Sequence, residues 1–269
     1  MAARQRLRNC NRASWEELAA APEPRGARLL DLDPELGVRV PAEQQTQARA
    51  ALVARTMTIQ RGRWEPPAAV DPRHLGFLVL GGLLARDVVL AGTTSTELFG
   101  EGDLLHPLTT IGDDSLLRHR VVWHVLEPVK IAVLDEHFSR SVLAWPQVMR
   151  MLLERALRCV RRSSIHAALL QLSPVETRLL VLFWFLAERW GRVTPLGVRL
   201  RLKLSHETLG QLVGCQRASV TTALGHLASS GVVVRRSDRT WLLVGAPPDE
   251  MAAVHLSAGL ALSGGTPAA

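Results

Sequence analysis

The chain has 269 residues, 32 Lys and Arg against 25 Asp and Glu for a net charge of +7, and 47% hydrophobic against 21% charged residues. That length is about twice a usual single domain, so two compact units are expected, and the composition excludes wholesale disorder, a collagen-like repeat or a fibre. The longest apolar run, Leu179 to Ala187, falls well short of the roughly 18 residues a membrane helix needs, so no membrane role is expected.

Charge is unevenly spread. Residues 137–244 hold 16 Lys and Arg against five acids (Glu154, Glu176, Glu188, Glu207, Asp238), a net of +11, which leaves −4 for the remainder. A basic C-terminal part on a mildly acidic N-terminal part suits a polyanion-binding domain fused to another unit. An arginine-rich composition gives the same charge, so a motif has to decide. The N-terminus is basic without the apolar stretch of a secretory signal, and Cys10, Cys159 and Cys215 form no disulfide framework and no CxxC pair; both point to a cytoplasmic protein.

Residues 1–70 contain Pro22, Pro24, Pro34, Pro41, Pro66 and Pro67 and read as a loosely structured lead-in with one helix at Ala42 to Arg55. From His74 to Leu134, short apolar runs broken by Gly, Pro and Asp predict an all-β unit with its core at 71–136, a small barrel or jelly roll whose hairpins are marked by Gly81 and Gly82. Phe138, Val142, Trp145, Val148, Leu152 and Cys159 then recur at helical spacing and predict a long amphipathic helix over 137–165. Its stripe either packs on its own unit or pairs with its twin; the place between two units favours a homodimer.

The C-terminal unit is expected over 171–246, with 247–269 a tail. Ser173, Pro174 and Glu176 read as a capping box with proline at the first helical position, opening a helix apolar nearly all round that stops at Gly191. A strand, a Pro/Gly turn and the alternating strand VRLRLKL follow. Ser205 then caps a short helix with Leu209, Leu212 and Val213 inward and Gly210 open to close helix approach. Gly214 suits a left-handed residue, and Cys215 and Gln216 complete a tight turn. The second helix starts near Arg217, buries Val220, Leu224 and Leu227, and presents Arg217, Ala218, Ser219, Thr221 and Thr222 outward. Gly231 stops it, and VVVRR-SDR-TWLLV forms a hairpin with Arg235, Arg236 and Arg239 at its tip and Trp241 as anchor. This is a winged helix-turn-helix, a reader of double-stranded DNA. Arg217 can fork onto a guanine, or serve as a phosphate clamp or a solvated surface residue. Ser205, His206, Gln216, Ser219 and the wing arginines suit phosphates.

The segment LSHETLGQLVGCQRASVTTALGHLASSGVV resembles the Crp/Fnr superfamily signature T-x-x-x-[IL]-[AG]-x-x-[ILV]-G-x-x-R-x-[ST]-V through Ser205, Leu209, Gly210, Val213, Gly214, Arg217, Ser219 and Val220. Leu80, Gly82, Glu97, Leu98 and Gly102-Asp103-Leu104-Leu105 resemble the family's β-roll less specifically. The resemblance implies an α+β fold: an N-terminal cyclic-nucleotide-binding-like β-roll, a long dimerisation helix and a C-terminal winged helix-turn-helix. It also implies a bacterial transcriptional regulator, a homodimer on a near-palindromic site, an effector acting through the β-roll, and RNA polymerase as a partner. Two departures stand out. Ala218 and Thr222 occupy places where the family often has Glu and a second Arg, so the target site differs. His106-Pro107 follows the GDLL turn in place of Gly-Glu, and Arg118, His119 and Arg120 lack a following Ser. Cyclic-nucleotide binding therefore does not carry over, no cofactor is expected, and Arg118, His119, Arg120 and His106 are the effector candidates.

The alternative is a metal-dependent cupin-type enzyme with an accessory basic domain. His74, His106, His119, His124 and His137 supply no HxH or HxxxH-plus-Glu set, and three distant cysteines hold no iron-sulfur cluster within one subunit. No metal site and no catalysis are expected. Cys215 reads either as a small turn residue or as a thiol activated by the basic helix start beside it.

Overall fold

The computed structural model describes residues 26–66, 74–106 and 119–248. Contacts divide the chain into two units, Met1–Ser164 and Ile165–Ala269. The first contains β1 (Ala27–Arg28), α1 (Leu29–Leu32), 3-10 turns at Pro34–Gly37 and Ala42–Gln44, α2 (Gln45–Ala51), β2 (Val53–Ile59), β3 (Gly62–Trp64), β4 (Gly76–Leu90), β5 (Thr93–Gly100), β6 (Leu104–Leu105), β7 (His119–Leu134) and α3 (Glu136–Val142). The last of its helices, α4 (Pro146–Leu169), runs across the division. The sheet is antiparallel in the order β1-β2-β7-β4-β5, with β3 also on β7 and β6 on β4.

From Gly26 to Pro66 the lead-in is built structure. The expected helix stops at Ala51, and β2 pairs with β7 from Arg55 opposite Val133 to Ile59 opposite Val129. Val53, Thr56, Thr58 and Ile59 are β-branched, and the ladder offered by β7 outweighs the weak helical spacing. Leu29, Leu30, Leu36 and Leu52 are buried in the core that α3 and α4 close. Gly81 and Gly82 mark no hairpin: both lie inside β4, where the register to β7 slips on either side of Gly81. Gly82 has φ +92°, and a Cβ there would sit 2.2 Å from the Pro128 carbonyl oxygen, so the pair forms a bulge with close backbone approach. The turn between β4 and β5 falls at Ala91 and Gly92.

The expected helix over 137–165 is two helices. The chain breaks between Val142 and Pro146, as the residue before a proline disfavours helix, and α4 continues to Leu169. Asp135 caps α3, accepting the Phe138 N–H at 3.1 Å. The stripe read from the sequence packs inward: Phe138, Val142, Trp145, Val148 and Leu152 all lie in the core of their own unit. A different line faces outward, Leu153, Leu157 and Val160 at 58%, 57% and 62% exposure. On the inner side Arg155, with a side chain 1% exposed, pairs with Asp33 and Glu35, and Arg162 pairs with buried Asp103. A second core fills the roll with Trp64, Phe77, Leu84, Phe99, Trp123 and Ile131.

The second unit holds α5 (Val175–Trp190), β8 (Gly191–Thr194), β9 (Gly197–Leu200), α6 (His206–Val213), α7 (Arg217–Ser229), β10 (Val233–Arg235) and β11 (Trp241–Leu243), with an antiparallel sheet in the order β10-β11-β9-β8. No capping box opens α5: Pro174 stands at the N-cap, one place before the first helical residue, and offers no side-chain acceptor. The strand VRLRLKL pairs only to Leu200, because its neighbour β11 begins opposite at Trp241. Burial still alternates beyond it, with Leu202 and Leu204 inside and Arg201 and Lys203 outside. With antiparallel sheets and helices segregated along the chain, the fold is α+β. Among the described residues no helix is long and apolar enough to cross a membrane.

Candidate nucleic-acid interface

The pair α6 and α7 is held by its own apolar faces, Leu209, Leu212 and Val213 against Val220, Ala223, Leu224 and Leu227, all buried. Ser205 caps α6, its Oγ accepting the Thr208 N–H at 3.0 Å. Gly214 closes α6 in the left-handed region at φ 64°, ψ 39°, and the Cys215 N–H donates to the Gly210 carbonyl at 2.9 Å. A Cβ on Gly210 would lie 2.6 Å from the Cys215 carbonyl oxygen but 3.6 Å from Val220. The glycine thus makes room for the turn itself, whereas the second helix is at ordinary contact distance. Behind the turn, Arg178 of α5 donates from Nη1 to the Val213 carbonyl at 2.6 Å and from Nε to the Leu172 carbonyl at 3.0 Å.

This packing leaves one face of α7 open. Gln216, Arg217, Ala218, Ser219, Thr221 and Thr222 are all exposed, and α7 carries no acidic residue. Thr221 Oγ1 donates to the Arg217 carbonyl at 3.0 Å, so the His206 Nδ1 beside it, also at 3.0 Å, is the donor of that second bond. Burial lowers the pKa of His206, and the charges of Arg235 and Arg217 lower it further. Those causes place the first turn of α6, the start of α7 and the base of the wing in one electropositive neighbourhood.

The wing is a short hairpin in which Arg235 pairs across to Trp241. The Arg235 guanidinium lies 5.4 Å from the Trp241 ring, which is buried against Phe183 at 4.9 Å, so Trp241 does anchor the strand. In the turn the Arg236 N–H donates to the Thr240 carbonyl at 2.9 Å. Asp238 accepts from the Thr240 N–H at 3.0 Å and hydroxyl at 2.6 Å and pairs with Arg199; these bonds hold its carboxyl at about 2. Arg235, Arg236 and Arg239 are exposed. Ser205 differs from the other expected phosphate ligands in that its hydroxyl is already engaged as a cap.

Sequence reasoning missed Arg201 and Lys203, exposed on the approach to Ser205; the alternation LRLKL just before an N-cap was the available signal. The described effector candidates, His106, His119 and Arg120, are not brought together. His119 pairs with Leu90 and Arg120 with Val89, successive positions on opposite faces of the sheet, His106 is exposed at the end of β6, and Arg118 lies outside the described residues. Among the described residues no three His, Cys, Asp or Glu side chains gather as a metal would need. Burial raises the Cys215 thiol pKa, outweighing nearby Arg178, so the basic helix start does not activate it.

The profile of the Crp-like helix-turn-helix domain matches residues 167–244. The global nitrogen regulator of Synechococcus elongatus is 24% identical over 177 residues, 63% of this chain and 77% of that protein. The chain therefore carries a Crp-like helix-turn-helix domain and is similar to transcriptional regulators of the Crp/Fnr type. Solved Crp/Fnr-like structures share its fold. FixK2 of Bradyrhizobium japonicum superposes with a TM-score of 0.55 at 19% identity, covering 71% of this chain and 93% of that one. A CRP/FNR-family transcriptional regulator of Thermus thermophilus gives 0.53 at 20%, covering 71% and 94%. Within the matched residues, therefore, α6 and α7 form the Crp-like helix-turn-helix.

Proposed function

We propose that this regulator works in the cytoplasm as a homodimer that sets two α7 helices into successive major grooves, about 34 Å apart, on a near-palindromic site. The observation that carries the reading is the open, acid-free face of α7, with Arg217 at its start and the wing arginine Arg235 both near enough to His206 to act on its charge. Arg217 reads a guanine, and Ser219, Thr221 and Thr222 line the same face against base edges and phosphates. Gln216, His206 and the wing residues Arg235, Arg236 and Arg239 hold the backbone, with Ser205 acting through the capped N-terminus of α6. Dimerisation uses the outward line Leu153, Leu157 and Val160, whose spacing of four and three is that of a coiled-coil seam. An effector other than a cyclic nucleotide acts through the β-roll and shifts the balance between binding-competent and incompetent dimers. RNA polymerase is the protein partner.

The test is selection of duplexes from a random library by the full chain, with and without cell extract. An inverted repeat with half-site centres about one helical turn apart is expected. Salt-sensitive binding with no sequence preference under either condition overturns the reading.

A further inference from the structure

Two neighbouring threonines stand on the open face of α7, where helix propensity favours neither. Thr221 and Thr222 are both exposed, and a β-branched residue in a helix loses side-chain freedom that alanine never had. Each folds its hydroxyl back onto the helix. Thr221 Oγ1 donates to the Arg217 carbonyl at 3.0 Å, and Thr222 Oγ1 to the Ala218 carbonyl at 3.3 Å. Such bonds slightly destabilise a helix, so stability does not account for the pair. Thr221 is further held by a bond from the first residue of α6: its oxygen accepts the His206 Nδ1–H at 3.0 Å.

Those two bonds decide what Thr221 can offer to DNA. Its single hydroxyl proton is committed to the Arg217 carbonyl, so it cannot donate to guanine O6 or N7 or to thymine O4. One of its two lone pairs is committed to His206. With Oγ1 turned to its own helix and to α6, the other heavy atom on Cβ, the Cγ2 methyl, is the part left for a ligand. Ala218, three residues earlier on the same face, is exposed and also ends in a methyl. Apart from Arg217, the exposed side chains from Arg217 to Thr222 are all small, which lets the helix backbone come close to base edges. In the major groove the group that matches a methyl is the C5 methyl of thymine, which none of the other three bases carries.

We propose that Thr221 reads one thymine in each half-site by contact between its Cγ2 methyl and the C5 methyl of the base, its hydroxyl being held aside by the Arg217 carbonyl and His206. The assignment rests on the reading above, in which α7 lies in the major groove, and adds the base and the atom that are recognised. Shielding one methyl from water in each half-site corresponds to about fourfold in affinity, or about tenfold or more for both half-sites together.

The experiment takes the duplex that the full chain selects from the random library and replaces deoxythymidine by deoxyuridine at one symmetry-related pair of positions at a time. That exchange removes the methyl and keeps every hydrogen-bonding group of the base. At one pair of positions the parent loses about tenfold or more in affinity. Thr221→Ser, which keeps both hydroxyl bonds and lacks the methyl, binds the thymine and uracil duplexes alike at that pair and keeps the parent's melting transition. Thr221→Val, which keeps the methyl and lacks the hydroxyl, retains the preference. Equal affinity for thymine and uracil at every position, a preference that survives in the serine variant, or one lost in the valine variant overturns the proposal and leaves α7 in the groove. A library selection without any sequence preference overturns both.

Discussion

His166 donates its Nε2–H to the main-chain carbonyl of Leu212 at 2.7 Å, tying the last turn of α4 to the end of α6. The Leu212 carbonyl is among the four at the end of α6 that have no donor within the helix, and the next one, on Val213, is taken by Arg178. Two cationic or polar side chains from other helices thus complete a helix whose own sequence ends in Leu-Val-Gly. His166 is 6% exposed, so water cannot readily replace it.

His166→Ala is therefore expected to destabilise the C-terminal unit by about 1–3 kcal/mol, the cost of a buried acceptor without a donor. His166→Gln, which can donate from its amide, should recover part of the loss. Denaturant unfolding monitored by tryptophan fluorescence checks both. An alanine variant as stable as the parent would remove the bond from the account.

Glycines in the two helices should respond in opposite directions. At Gly210 a Cβ would lie 2.6 Å from a backbone oxygen of the turn, so Gly210→Ala must displace the Cys215 peptide and with it the start of α7. A loss of more than about 1 kcal/mol and of sequence-specific duplex binding is expected. At Gly225, exposed within α7, a Cβ meets nothing within 4 Å. Gly225→Ala should add about 0.5–1 kcal/mol through helix propensity. Melting both variants beside the parent tests the pair; the same sign for both would contradict the packing described.

How much of this was legible in the sequence follows from the range of the interactions. Ser205, Gly214 and Gly231 act within their own turns, so residue type and spacing were enough to place α6, α7 and the wing. The sheet reached back to Ala27, outside the expected core, because β2 is held by β7 more than seventy residues away, a pairing no local pattern displays. Of the two readings open for the stripe, packing on its own unit is the one Val148 and Leu152 follow rather than the favoured pairing with a twin, while Leu153, Leu157 and Val160, only a residue or so out of phase, face outward. Arg118, one of the four effector candidates, lies outside the described residues.

The outward line on α4 gives a third expectation. Leu157→Asp should dissociate the dimer without unfolding the chain, since the side chain is 57% exposed within one subunit. Sedimentation at micromolar concentration would show monomers, and duplex affinity would fall with the loss of the second half-site. A variant that stays dimeric would move the interface elsewhere.

Arg217 and Arg235 should fail differently. Arg217→Ala is expected to lower discrimination at one base pair in each half-site by about 1–3 kcal/mol, read as relaxed preference in the duplex selection. Arg235→Ala should weaken all sequences alike and flatten the slope of log affinity against log salt by about one unit. An unchanged site preference in the first variant would take Arg217 off the bases. An unchanged slope in the second would take the wing off the phosphates.

His206 is expected to make DNA binding and folding depend on pH with opposite signs. Its pKa in the free protein lies below the ordinary histidine value because of burial and the charges of Arg235 and Arg217. Between that lowered value and about 6.5 the unfolded chain holds more proton than the folded one, so stability falls as pH drops through this window. A DNA phosphate placed against the same three residues reverses the balance: it screens the two arginines and favours the imidazolium, so binding takes up a proton. Duplex affinity is then expected to rise as pH falls from about 7.5 to about 6 at constant ionic strength, even as the free protein becomes less stable. His206→Gln, which keeps a donor for Thr221 but cannot titrate, should flatten both dependences. Affinity that falls with pH in the parent, or that rises equally in the glutamine variant, would show that no phosphate lies beside His206.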